Sequence, residues 1–207
     1  MKIACVSDTH NTGLPLRSYP EADILIHAGD ATFKGRVQDI AFFGEMLSKH
    51  LCKNRYHSGY KEIIFVPGNH DWLFEKDEYL ARRILSDYGI KTLINESIEI
   101  NGLKIWGSPV TSPFHNWAFN WEEEKRRELW ESIQNDSDVV ITHGPPYGIL
   151  DKVVYKDGSE KLTGCELLEE RIFKVRPKAH IFGHIHQGYG QTEICGIKFV
   201  NASFLNG

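Results

Sequence analysis

The sequence has few of the features that mark secreted, membrane-spanning or nucleic-acid-binding proteins. Its four cysteines, at positions 5, 52, 165 and 195, form no C-x-x-C pair, which argues against a cysteine zinc site and favours buried, reduced thiols. No apolar run approaches the roughly 20 residues that cross a bilayer. The net charge of -4 is unlike that of a strongly basic nucleic-acid binder. These absences predict a cytoplasmic protein without membrane contact, and they give no signal for an obligate protein partner.

The residues that are present suit a globular α/β domain. With 207 residues, 41% of them hydrophobic, the chain can bury a substantial core. Short apolar runs bounded by glycine and proline predict buried strands at Ile3–Val6, Ala22–Ala28, Glu62–Val66, Asp138–Ile141 and Ala179–Phe182. Amphipathic segments between them predict helices at Arg36–Lys49, Asp77–Tyr88, Glu122–Ile133 and Thr163–Val175. We see no linker or repeat, and therefore predict a single domain over residues 1–207.

Two hairpin signals indicate that the sheets are mixed. Asn101-Gly102 separates Ile98–Ile100 from Leu103–Trp106, and Cys195-Gly196 separates Gly188–Ile194 from Ile197–Val200. Histidines inside or between the predicted elements have simpler interpretations than a site. His27 and His180 lie within apolar runs and are expected in the core, whereas His50 and His57 lie in a polar stretch and are expected to be solvated.

Five predicted strands each end in residues that can bind metal or donate protons. The residues that follow these strands are Asp8 and His10, then Asp30, then Asn69 and His70, then His143, then His184 and His186. Glycines 29, 68, 144 and 183 adjoin them and permit tight turns and close backbone approach. In layered α/β folds, active sites gather at the carboxyl ends of strands. We therefore expect these side chains to converge on one site.

The order D-x-H, G-D, G-N-H-D, T-H-G, G-H-x-H resembles the calcineurin-like metallophosphoesterase superfamily, from Asp8 to His186. The fuller strings S-D-T-H, H-A-G-D, N-W-A-F-N, T-H-G-P-P and F-G-H-I-H are similar to one branch, the metallophosphoesterase-domain-containing brain proteins and their microbial relatives. The resemblance implies a four-layer α-β-β-α sandwich of two mixed β-sheets flanked by helices. It also implies two divalent metal ions.

Residue roles follow from the resemblance, one position at a time. It assigns Asp8, His10 and His186 to the first metal, Asp30 to both metals, and Asn69, His143 and His184 to the second. It implies that a hydroxide bridging the metals attacks phosphorus. A donor set rich in nitrogen suits Mn, Fe, Co, Ni or Zn better than Mg or Ca, and we favour Mn.

The resemblance leaves His70 free of metal, beside the bound phosphate. Asn69, besides binding the second metal, is expected to contact the substrate. An imidazole without a metal can donate a proton near neutral pH, so we hypothesise that His70 is the general acid for the leaving group. Trp117, in an aromatic segment over residues 109–121, has two interpretations. It either packs on the core or lines the substrate pocket, where its ring would stack on a nucleobase.

The sequence departs from the pattern of protein phosphatases in this superfamily. Those proteins carry G-D-x-x-D-R, whereas Ala31-Thr32-Phe33-Lys34 follows Gly29-Asp30 here. The acid that would orient the catalytic histidine and the arginine that would hold phosphate are both missing at this point. Asp71 is left with two interpretations, a buried acceptor supporting the site or a cap of the next helix.

The resemblance to the branch of metallophosphoesterase-domain-containing proteins favours a phosphodiesterase acting on small phosphodiesters such as cyclic nucleotides. Few lysines or arginines lie inside the motifs, and a diester brings only one negative charge. The alternatives are a broad phosphomonoesterase or nuclease, and a scaffold that binds nucleotides without turnover. Outside the motifs, the charged run Glu122–Glu128 is interpreted as a solvated helix face, and the polar stretch Asp151–Lys161 as a flank of the cleft.

Overall fold

The computed structural model describes residues 1–12, 20–51 and 59–204. Its strands are β1 (Ile3–Val6), β2 (Ile24–His27), β3 (Glu62–Phe65), β4 (Ile90–Thr92), β5 (Glu96–Ile100), β6 (Leu103–Ser108), β7 (Val139–Thr142), β8 (Lys152–Val154), β9 (Glu160–Leu162), β10 (Ala179–Phe182), β11 (Gly190–Ile194) and β12 (Ile197–Asn201). Its helices are α1 (Val37–Ser48), α2 (Leu73–Lys76), α3 (Glu78–Asp87), α4 (Glu123–Glu131) and α5 (Glu166–Val175). The predicted strands and helices are therefore present, with ends shifted by a few residues.

The strands form two main sheets and one separate hairpin. The first sheet has the order β1-β2-β3-β4, and the second has the order β11-β12-β10-β7-β6-β5. In the second sheet the four central strands are parallel, and the outer strands β5 and β11 pair antiparallel through the two predicted hairpins. The first sheet is parallel throughout, because its strands are joined by long crossovers rather than tight turns. The pairing is thus mixed in the larger sheet alone.

Apolar side chains pack the two sheets face to face with helices outside. Between the sheets, Ile26 and Ile64 of the first lie in one cluster with Ile141 and Ile181 of the second. The outer face of the first sheet packs on α1 and α3, and that of the second on α4 and α5. The four-layer α-β-β-α arrangement is confirmed. At one edge a bridge between Ser7 and Ser203 links the chain after β1 to the chain after β12.

The two histidines predicted for the core are buried behind the strand ends. His27 Nε2 lies 3.0 Å from Thr9 Oγ1, and His180 Nε2 lies 2.8 Å from Thr142 Oγ1. Burial lowers the pKa of each imidazole to about 3, so both are neutral at physiological pH. They serve as uncharged polar links beneath the loops that follow β1 and β7.

Some details differ from the sequence expectations. Helix α5 begins at Glu166 rather than at Thr163, because the Thr163 hydroxyl donates to the Asp151 carbonyl at 2.9 Å and keeps that segment outside the helix. Cys195 is exposed rather than buried, since it occupies the turn between β11 and β12. Its φ of 52° is in the left-handed region that a two-residue hairpin turn requires.

Other sequence expectations concern the remaining cysteines, histidines and possible membrane spans. Cys52 and His57 lie outside the described residues, and His50 is half-buried rather than solvated. Cys5 and Cys165 are free thiols, and Cys165 is buried. Within the described ranges, no helix combines the length and the apolar character that a membrane span needs.

Candidate metal centre

The loops after β1, β2, β3, β7 and β10 bring the predicted site residues together. Ligand atoms of Asp8, His10 and His186 lie within 4.8 Å of one another, and we call this group the Asp8 cluster. The same limit holds for Asp30, His143 and His184, which we call the His143 cluster. A third group that meets it, His10 with Asp30 and His70, lies between the two. The predicted residues thus form one continuous centre.

Several of these residues have an uncommon backbone conformation. The φ angles of Asp8, His10, Asp30 and His184 are 56°, 44°, 53° and 68°. Residues other than glycine rarely adopt this left-handed backbone region, and such backbone strain concentrates at functional sites. Hydrogen bonds between the loops hold the strained segments, with His10 N donating to the Asp30 carbonyl at 3.0 Å.

The Asp8 carboxylate is buried, and both of its oxygens lie close to hydrogen-bond donors. Its Oδ2 accepts from Ser7 Oγ at 2.5 Å, Ser203 Oγ at 2.7 Å and His184 N at 3.0 Å. Its Oδ1 lies 3.4 Å from His186 Nε2. Burial alone would raise the pKa of Asp8, but the bonds from His186, Ser7 and Ser203 hold it well below the ordinary value. Asp8 is therefore an ionised, fixed ligand candidate.

Asp30 lies at the middle of the centre. Its Oδ2 is 3.4 Å from His143 Nε2 and 3.9 Å from both His10 Nε2 and His70 Nε2. Its Oδ1 accepts a hydrogen bond from the His70 backbone amide at 2.8 Å. Burial would lower the pKa of His143, yet the charge of Asp30 raises it to about 9. In the metal-free protein these two groups form an ion pair, so metal binding here would displace a proton.

Backbone carbonyls fix the orientation of two of the imidazoles. His10 Nδ1 lies 3.2 Å from the Thr32 carbonyl oxygen, and His143 Nδ1 lies 2.9 Å from that of Ala28. A carbonyl only accepts, so Nδ1 carries the proton and Nε2 faces the centre. His143 Nε2 also lies 3.0 Å from Asn69 Oδ1, which brings the predicted amide ligand into the His143 cluster.

His70 is oriented by a partner that the sequence could not reveal. Its Nδ1 lies 3.0 Å from the carbonyl oxygen of Phe33. Phe33 stands where related phosphatases have the second aspartate of G-D-x-x-D-R, and here the main chain of that residue supplies the acceptor for His70. A backbone acceptor leaves no trace in residue type, which is why sequence reasoning found no partner for His70.

Trp117 lies directly against His70. The two ring centroids are 4.1 Å apart, with an interplanar angle of 34°. The aromatic segment is anchored beside the site, where Ala118 N donates to the Asn69 carbonyl at 3.2 Å and Phe119 N to Glu75 Oε1 at 2.7 Å. One face of the Trp117 ring is therefore covered by His70, and the segment packs on the loop after β3.

Asp71 supports the site without touching the His70 imidazole. Its carboxylate accepts from Gly68 N at 2.8 Å, Ala31 N at 3.2 Å and both the backbone amide and the hydroxyl of Thr32 at 2.9 Å. Burial and the charge of Asp30 raise the pKa of Asp71 to about 6. Helix α2 has no side-chain cap, so the supporting interpretation is the one the structure favours. The carboxylate ties the loop after β2 to the loop after β3.

Glycines allow these loops to approach within van der Waals contact. A Cβ on Gly183 would lie 1.9 Å from Ser7 Oγ and 2.4 Å from Asp8 Oδ2. A Cβ on Gly68 would lie 2.2 Å from Asp30 Oδ1. Real Cβ atoms do not come so close, so only glycine permits the carboxylates to sit where they do.

The donor set fits divalent transition metals. The predicted ligands supply imidazole nitrogens from His10, His143, His184 and His186, carboxylate oxygens from Asp8 and Asp30, and the amide oxygen of Asn69. Nitrogen-rich mixed ligation of this kind suits Mn, Fe, Co, Ni or Zn. With the four imidazoles neutral, the two buried carboxylates also make the centre negative, and this charge attracts cations.

A cavity of about 690 Å³ adjoins the His143 cluster. His184, Ile185 and Gly144 line it on the side of the centre, and α4, α5 and the β8–β9 hairpin enclose the rest. The stretch predicted to flank the cleft does so, as a hairpin. Arg126 of α4 also lines the cavity and is half-buried, although its charged run was interpreted as a solvated face. The sequence signal for this burial was that Arg126 lies three and four residues before Leu129 and Trp130, so that the three side chains lie on one helix face.

The four-layer fold and a centre of this composition are typical of the metallophosphoesterase class. The sequence model of the calcineurin-like phosphoesterase family matches residues 1–188. The chain belongs to the calcineurin-like phosphoesterase family. The family indicates a phosphoric ester hydrolase that depends on metal.

Curated relatives agree with this assignment. The chain is 33% identical over 226 residues to human "Metallophosphoesterase domain-containing protein 1", covering 98% of this chain and 65% of the relative. It is 32% identical over 219 residues to a UPF0046 protein of Caenorhabditis elegans, covering 100% of this chain and 70% of the relative. The chain thus spans about two thirds of the length of these relatives.

Solved structures share the fold at low sequence identity. TT1561 of Thermus thermophilus superposes with a TM-score of 0.63 at 18% identity, covering 99% of this chain and 89% of that chain. Phosphopantetheinyl hydrolase of Mycobacterium tuberculosis superposes with a TM-score of 0.60 at 16% identity, covering 98% and 88%. At these identities the likeness concerns the fold alone.

Proposed function

We propose that this protein is a dinuclear-metal-dependent phosphodiesterase that hydrolyses small phosphodiesters such as cyclic nucleotides. The observation that carries the proposal is the position of Asp30. Its carboxylate is within 3.4 Å of His143 Nε2 on one side and 3.9 Å of His10 Nε2 on the other. A single carboxylate between two clusters is the arrangement that holds two cations side by side.

The chain's own residues would bind the two ions from opposite sides. Asp8, His10 and His186 would hold the first, Asn69, His143 and His184 the second, and Asp30 both, with Mn the favoured metal. When bound, the ions supply positive charge for the phosphate and lower the pKa of an attacking water. The backbone carbonyls behind His10 and His143 keep Nε2 directed at the centre, and the hydroxyls around Asp8 keep that carboxylate ionised.

The charges around the centre favour diesters over monoesters. Within the described ranges, no lysine or arginine forms an ion pair with Asp8 or Asp30. The position of the phosphate-binding arginine of related phosphatases is Lys34 here. A diester carries one negative charge, whereas a monoester dianion gains more from extra cations. A nuclease would benefit from a basic groove, which a net charge of -4 does not supply.

We expect the Mn-loaded protein to cleave bis(p-nitrophenyl) phosphate faster than p-nitrophenyl phosphate. Chelation should abolish both activities, and adding Mn back should restore them, because the ions supply positive charge for the phosphate and lower the pKa of the attacking water. Release of p-nitrophenolate measures turnover. A preference for the monoester would instead support a broad phosphatase. Metal binding without any hydrolysis would support a scaffold that binds nucleotides.

We expect His70→Ala to slow hydrolysis of alkyl phosphodiesters far more than that of aryl phosphodiesters. With Nδ1 held by the Phe33 carbonyl, the Nε2 of a protonated His70 would donate to the leaving oxygen. Alkoxides need that proton and p-nitrophenolate does not, so the alkyl reaction should lose about 10²- to 10⁴-fold and the aryl reaction a small factor.

The matched control for His70 is His115→Ala, which removes an exposed histidine of the aromatic segment. Rates on a methyl and a p-nitrophenyl ester of the same phosphate, measured at saturating Mn, give the comparison. Equal losses on the two esters would assign His70 to positioning rather than proton donation.

A further inference from the structure

We propose that the cavity beside the metal centre selects phosphodiesters whose organic group carries a second phosphate, and that Arg126 binds that phosphate. This inference rests on the proposed function, since it assumes that the scissile phosphodiester occupies the metal centre. It goes further by defining which phosphodiesters the protein prefers.

The cavity is continuous with the metal centre. His184 of the His143 cluster and Gly144, next to His143, both line it. Its volume of about 690 Å³ is within the range of small-molecule sites, roughly 300–1,000 Å³. A diester bound at the centre would therefore extend one of its organic groups into this space.

Arg126 is fixed in place without a carboxylate partner. Its Nε donates to the Trp121 carbonyl at 2.9 Å, and its Nη1 lies 3.0 Å from Cys165 Sγ. No ion pair of Arg126 occurs within residues 1–12, 20–51 and 59–204. A guanidinium offers five N–H donors, so most remain for a ligand. A half-buried, pre-oriented guanidinium is well suited to bidentate binding of an oxyanion.

The other charged side chains of the cavity are all more exposed than Arg126. Arg127 pairs with Glu123 at 2.8 Å, and both side chains are about 60% exposed, so this pair is neutral and solvated. Glu166 and Glu170 are exposed, and water and salt screen exposed carboxylates strongly. Lys161 adds a positive charge at the β8–β9 hairpin. Arg126 is therefore the most buried, and so the least screened, of the charged side chains that line the cavity.

Aromatic rings supply the surface for the group that joins the two phosphates. Phe114, Tyr147 and Tyr155 line the cavity and are 59%, 39% and 48% exposed. Exposed rings around a polar anchor are typical of sites for amphipathic groups such as nucleosides. The substrate class that fits is a nucleoside with a diester at one oxygen and a phosphate at another.

The test compares two chromogenic diesters with the same leaving group. One is thymidine 5′-(p-nitrophenyl phosphate), and the other is the same compound with a 3′-phosphate. We expect Mn-loaded wild type to favour the 3′-phosphorylated diester by about tenfold or more in kcat/KM, the effect of one charge-assisted contact. Arg126→Gln should bring that ratio close to one, and Arg126→Lys should leave an intermediate ratio.

The matched control is Lys125→Gln, which removes an exposed cation of the same helix that does not line the cavity and should keep the wild-type ratio. Calorimetric binding of thymidine 3′,5′-bisphosphate and thymidine 5′-monophosphate to the Mn-loaded proteins provides a readout that needs no turnover. Tighter binding of the bisphosphate that Arg126→Gln removes supports the inference, even where neither diester is cleaved and the proposed function fails.

Other outcomes would overturn the inference. If wild type cleaves both diesters equally and binds both nucleotides equally, the proposed function stands and the second-phosphate site does not exist. If Arg126→Gln weakens both ligands equally and lowers the melting temperature, Arg126 only holds α4 against α5.

Discussion

Asp30→Asn is expected to lower kcat/KM for a phosphodiester by about a thousandfold and to reduce the metal content of the protein. Asparagine keeps the shape of the side chain and an oxygen for the His70 amide, which bonds Asp30 Oδ1 at 2.8 Å. It removes the negative charge that both clusters share. Loss of several kcal/mol of charge stabilisation corresponds to the expected decrease.

Metal analysis after gel filtration, together with turnover at saturating Mn, measures both effects of Asp30→Asn. The control is Asp136→Asn, because Asp136 is 60% exposed and pairs with Lys104 on the surface. We expect that control to keep full metal content. An Asp30→Asn protein with two bound ions and undiminished turnover would contradict the shared-carboxylate arrangement.

Gly68→Ala is expected to disrupt the centre more severely than removal of any single imidazole. The added Cβ would lie 2.2 Å from Asp30 Oδ1, 2.3 Å from Asp30 N and 2.7 Å from His143 Cε1. The backbone nitrogen cannot rotate away as a side chain can, so two loops must separate. Such overpacking costs about 1–3 kcal/mol or more in the free energy of unfolding.

Urea unfolding of the metal-free protein and metal content after reloading measure the two consequences of Gly68→Ala. Gly144→Ala is the matched control, since its Cβ would meet only the Thr111 side chain, at 3.3 Å from Cγ2 and 3.9 Å from Cβ. It should change stability by a few tenths of a kcal/mol. Equal behaviour of the two alanine variants would mean that the loops after β2 and β3 separate freely.

The centre was largely predictable because its groups are side chains at strand ends. Asp8, Asp30 and His143 each lie within three residues of the end of an apolar strand, and that signal is local in sequence. The groups that escaped prediction act through the fold. The Phe33 carbonyl has no residue-type signature, and Arg126 becomes half-buried only when α4 packs beside α5.

The same distinction applies to the fold. The turn residues Asn101-Gly102 and Cys195-Gly196 have positive φ angles as two-residue hairpins require, so both hairpins were predictable from local chemistry. The short strands β4, β8 and β9 were not, since β4 exists only by pairing with β3, and β8 and β9 have three residues each and are mostly exposed. Long-range pairing of short segments leaves a weak local signal.

The hydrogen bond that the Ser203 hydroxyl donates to Asp8 has a consequence for biosynthesis. The two residues are 195 positions apart, and a ribosome adds about 5–20 residues per second, so roughly 10–40 seconds pass between their syntheses. All four strands of the first sheet precede residue 93, so this sheet can emerge long before its partner. For more than half of that interval the nascent chain carries Asp8 and Asp30 without His143, His184 and His186. The set of predicted ligands is therefore complete only after His186 has been synthesised.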